Sequence, residues 1–194
     1  NYLMGLVDWH REAATASSPI GAAAERLIAA ASAQGWDVDG LRRAFASDAE
    51  AWSTRFGGAR DVTGLDPERN LLRYVPATVH IRLGEQGDPV DLVRVLGAAE
   101  LANASCTVSV PADAQMIADQ VRFPVVTESD AAWTERIAAQ PPAERIRTIA
   151  VPRGTAERAM SGRPDVAVYD QPVTESGRVE LLPFLQEQAL CITA

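Results

Sequence analysis

The sequence predicts an α/β fold in which N-terminal helices precede a Rossmann-like, mostly parallel sheet and a β-hairpin, short helix and strand close the chain. Three observations predict it. The first third is rich in Ala and has apolar residues at helical spacing. Between 70 and 170, short apolar runs suited to strands alternate with helical segments, the pattern of a parallel sheet covered on both faces. After Asp170, spacing passes from helical at Leu181, Leu182 and Leu185 to strand alternation at Leu190 and Ile192.

In chain order, residues 1–16 read as a helical arm with Leu3, Leu6, Val7 and Trp9 apolar. Ser17-Ser18-Pro19 ends it and starts a second helix, since Ser caps amides and Pro suits a first turn. That helix runs to about Ala33 and stops at Gly35. Asp37 or Asp39 opens a third, reaching Phe56, with Leu41, Ala44, Phe45, Ala51 and Trp52 on its apolar face. Asn70 to Val75 and Thr78 to Leu83 read as strands separated by Pro76, and Gly84 to Pro89 as a turn into a helix ending near Asn103. Further strands fall at Cys106 to Val110, Val125 to Thr127, Ile146 to Val151 and Val166 to Tyr169. Helices lie between them from Pro111 to Gln120, from Asp130 to Ala139 (capped by Ser129 or Asp130) and from Thr155 to Met160. Val173 to Arg178 reads as a hairpin, and the final strand either pairs inside the domain or adds to a partner's sheet.

These boundaries divide the chain into the arm at 1–16, a helical region at 17–69, a Rossmann-like unit at 70–170 and a C-terminal motif at 171–194. A chain of 194 residues buries roughly 70% of its unfolded surface and needs no staple. Its 47% hydrophobic and 23% charged residues suit a soluble globular protein, and no apolar run approaches the ~20 residues of a membrane span. Net charge is −8, which disfavours nucleic-acid binding. All 18 basic residues are Arg; without Lys there is no phosphate loop of the Gly-Lys-Ser/Thr type and no Schiff base. Two separated Cys on apolar stretches suggest reduced thiols in the cytoplasm. Asn1 at the start, and an apolar strand at the end, suggest a piece of something longer.

No catalytic set emerges. The turn Gly84-Glu85-Gln86-Gly87-Asp88 stands where a dinucleotide loop would, but it lacks the glycine spacing and carries carboxylates that repel phosphate. A cap by Asp88 explains it better. Cys106 and Cys191 have no adjacent His, and His80 in Val79-His80-Ile81-Arg82 reads as a hydrogen-bonded structural residue. No cluster has metal-ligand spacing. The acids of Glu128-Ser129-Asp130 and Asp165 sit at turns and helix starts, as caps do.

Several segments resemble proline utilization A (PutA), the bifunctional flavoenzyme of proline catabolism. Asn1-Tyr2-Leu3 is similar to the close of its aldehyde-dehydrogenase part. Asn70-Leu71-Leu72-Arg73-Tyr74 and Asp88-Pro89-Val90-Asp91-Leu92 resemble the extra C-terminal domain of its longer members. The most specific likeness is Ser176-Gly177-Arg178 with Glu180-Leu181-Leu182-Pro183-Phe184-Leu185 and Glu187-Gln188; the short tail that follows in the family is absent here. The resemblance implies a bacterial, cytoplasmic parent that oxidises proline with FAD and then glutamate semialdehyde with NAD. This segment would hold neither cofactor and no catalytic residue. It would have an aldehyde-dehydrogenase-like fold, cap the dehydrogenase and help seal the channel between the two active sites. Its partners would be the proline dehydrogenase and aldehyde dehydrogenase domains of the same polypeptide, with Glu180, Leu181, Pro183, Phe184 and Gln188 as interface residues. The alternatives are a stand-alone Rossmann-like nucleotide binder or enzyme, and a homodimerisation module using the β-tail.

Overall fold

Two sheets of different character divide the strands of the computed structural model, which describes residues 21–61, 63–64, 68–118 and 120–193. The arm at 1–16 and the Ser17-Ser18-Pro19 cap lie outside these residues. Helix α1 (Ala22–Ala33) buries Leu27, Ile28 and Ala31 and ends before Gly35, whose φ of +76° suits a residue without Cβ. Helix α2 (Asp39–Ala51) buries Leu41, Ala44, Phe45 and, unexpectedly, Ser47 and Asp48. Asp37 rather than Asp39 serves its start, accepting a hydrogen bond from the Asp39 amide at 3.0 Å. The apolar stretch continues to Phe56 as one π-turn, Trp52–Phe56.

The parallel sheet has the order β5-β4-β3-β6-β7, from β3 (Thr78–Leu83), β4 (Ser105–Val110), β5 (Val125–Thr127), β6 (Arg145–Ile149) and β7 (Ala167–Tyr169). This is the doubly wound arrangement, with β3 at the centre. Alternation gives its faces different chemistry. Val79, Ile81, Leu83, Val108, Val110 and Ile149 join the main core with α3 (Pro89–Leu101), whose Leu92, Val93, Val95 and Leu96 are fully buried. Opposite, His80, Arg82, Thr107 and Ser109 share a face with Ile146. Trp133 and Ile137 of α5 (Asp130–Ala139) cover it. Helix α4 (Gln115–Ala118) and helix α6 (Thr155–Ala159) complete the connections.

The second sheet is antiparallel, of order β1-β2-β8, from β1 (Arg60–Asp61), β2 (Glu68–Pro76) and β8 (Leu185–Thr193). The strand expected at Asn70 to Val75 therefore belongs to this ribbon and not to the parallel sheet. The terminal strand pairs with β2 over nine positions, from Glu68↔Thr193 to Pro76↔Leu185. The hairpin expected at Val173 to Arg178 does not form. Its backbone groups are taken elsewhere: the Thr174 amide donates to Glu180 Oε2 at 3.1 Å, and the Thr174 carbonyl accepts from Arg94 at 2.9 Å. A single turn, α7 (Gly177–Glu180), and a 3₁₀ turn at Leu182–Phe184 follow.

Candidate functional site

Ligands of doubly wound sheets lodge beyond the carboxyl ends of the strands where the order reverses, here between β3 and β6. At that end of the sheet the chain's own turns bind one another. The Gly84 amide donates to Ile149 O at 2.9 Å, and a Cβ on Gly84 would lie 2.7 Å from Ala150 O. Glu85 and Asp130 exchange hydrogen bonds: the Glu85 amide donates to Asp130 Oδ2 at 3.2 Å, and the Asp130 amide to Glu85 Oε1 at 3.3 Å. Asp88 caps α3 by accepting from the Val90 amide at 2.8 Å.

Beneath lies Arg82, fully buried. It donates to Ser109 Oγ (2.8 Å), Glu128 O (3.1 Å) and Asp130 Oδ1 (2.7 Å). Burial alone would push the Glu128 carboxyl up, but hydrogen bonds from Arg136 and Ser109 and the charges of Arg136 and Arg82 hold it below the usual range. A pyrophosphate would meet amides already occupied and the carboxylates of Glu85, Asp88 and Asp130. Each like-charge contact at 4 Å costs about 1 kcal/mol in water and about 4 kcal/mol near a protein surface. The residues present do not fit a dinucleotide.

The other reactive side chains are quiet. His80 is 1% exposed; Trp133 Nε1 donates to its Nε2 at 3.1 Å, which leaves Nδ1–H to donate to Thr107 Oγ1 at 2.8 Å. Desolvation, with Arg136 adding to it, lowers its pKa to about 3, so the ring stays neutral. Burial pushes the Cys106 thiol up to about 12, far from a thiolate; Cys191 is exposed on β8. Among the described residues no group of three or more His, Cys, Asp or Glu could hold a metal ion, and no helix is long and apolar enough to cross a membrane.

The most heavily built region is the seat of the C-terminal segment. Two buried arginines hold it. Arg94 of α3 forms a two-pronged pair with Asp48 of α2 (2.7 and 2.8 Å), while its Nε grips Thr174 O. Arg147 of β6 donates through Nε to Glu180 Oε1 at 2.8 Å and through Nη1 to the carbonyls of Thr148, Tyr169 and Gln171. Its Nη2 lies 2.8 Å from the same Glu180 oxygen as an ion-pair contact, without a hydrogen-bond acceptor of its own. Desolvation raises the Asp48 carboxyl to about 6 against the pull of Arg94. Gly177 presses on α2: its amide donates to Ser47 Oγ at 3.0 Å, and a Cβ there would stand 2.4 Å from Ser47 O.

Four of the five sequence-expected interface residues belong to this seat. Glu180, Leu181 and Phe184 are completely buried and Pro183 is buried with them, all inside this chain. Gln188 stands apart on β8, half-buried, its Oε1 accepting from Arg73 Nε at 2.6 Å. The anchors Asp48, Arg94 and Arg147 were not singled out in the sequence. A signal was present for Arg94 alone, a single Arg inside the apolar run Leu92-Val93-Arg94-Val95-Leu96.

No protein-family model matches this chain, and no curated protein sequence does. Solved structures do. PutA from Corynebacterium freiburgense superposes with a TM-score of 0.65 at 28% identity, over 93% of this chain and 15% of that one. The chain is thus similar, in fold and in sequence, to a part of that PutA. A variant of Bradyrhizobium japonicum PutA (TM-score 0.53, 17% identity) and a further bifunctional PutA protein (0.54, 17%) share the fold over 79% of this chain. The chain spans only 15–20% of the length of these PutA proteins.

Proposed function

We propose that this chain is the non-catalytic C-terminal domain of a long-type PutA, bacterial and cytoplasmic. Its parent would oxidise proline to glutamate with FAD and NAD, and this domain would cap the aldehyde dehydrogenase and help seal the channel between the active sites. Likeness to PutA over nearly the whole chain supports the parentage. The observation that supports the non-catalytic reading is the crossed pair of hydrogen bonds between Glu85 and Asp130, which engages both amides and sets two carboxylates at the turn where a pyrophosphate would need donors. A cap needs a rigid body and a contact surface more than reactive groups. Here the two-arginine seat fixes the C-terminal segment and the β2–β8 ribbon offers the surface. We assign the arm at 1–16 to the end of the dehydrogenase domain, followed by a helical region at 17–69, a Rossmann-like unit at 70–170 and a C-terminal motif at 171–194.

The runner-up, a stand-alone nucleotide binder, is favoured only by the doubly wound strand order. Titration calorimetry of the chain with NAD separates the two. The proposal expects no heat of binding up to millimolar NAD; micromolar affinity lost on changes at Gly84 to Asp88 would establish the runner-up.

A further inference from the structure

We draw no further inference here: the strongest candidate, the apolar groove between α1, α2 and α3 lined by Ala24, Phe45, Trp52 and Leu101, carries none because nothing in the structure shows what covers it.

Discussion

At the residue scale, buried charge decides most of the chemistry. Arg82, Arg94 and Arg147 are each buried, and each is matched to a carboxylate at 2.7–2.8 Å. Removing one partner of such a pair strands the other, at about 3–5 kcal/mol, whereas removing both costs far less. These groups are spent on architecture. His80 is spent likewise, and its titration gives a prediction. Its folded pKa of about 3 lies below the 6.5 of the unfolded chain, so the unfolded state binds more protons between those values. The stability it contributes is complete above pH 6.5 and is lost as pH falls toward 3, at about 1.4 kcal/mol per unit. Asp48 has the opposite sign, being raised from 3.8 to about 6, and partly masks the slope in the native protein. Chemical denaturation at a series of pH values should therefore show His80→Gln losing less stability on acidification from 6.5 than the native chain. Parallel pH profiles would mean that His80 already titrates normally.

At the element scale, the decisive contact is α7 against α2. Gly177 touches the α2 backbone so closely that even a methyl group must displace it. Gly177→Ala should lower stability by about 1–3 kcal/mol, the usual cost of overpacking, and should free the segment around Thr174 and Glu180. Thermal melting with exchange at Thr174 and Gly177 checks both effects. An unchanged melt would show that the α2–α7 contact is looser than this geometry requires. The same seat limits how the tail can be removed. Deletion from Val173 would strip Leu181 and Phe184 from the core, whereas truncation after Leu185 removes only the outer strand.

At the scale of the whole molecule, most of the fold was legible because its signals are local. The strands at 78–83, 125–127 and 167–169 and the helices at 39–51 and 130–139 sit where alternation, helical spacing and capping place them. What was not legible was long-range. No local pattern in Val173 to Arg178 tells that Arg94, some 80 residues earlier, will claim its carbonyl. Nor does Leu190-Cys191-Ile192 announce that its partner is Arg69-Asn70-Leu71. The interface residues were chosen from a motif, and a motif does not distinguish a side chain kept for a neighbouring domain from one kept for its own core. Glu180 and Phe184 are buried within this chain.

The cap itself is tested most directly by the time course of NADH formation from proline in the full-length polypeptide, with and without residues 186–194. With the strand present, NADH should appear without a lag; without it, a lag should appear while intermediate accumulates in solution, with each active site assayed alone unchanged. NADH formation with no lag after that truncation would contradict the account.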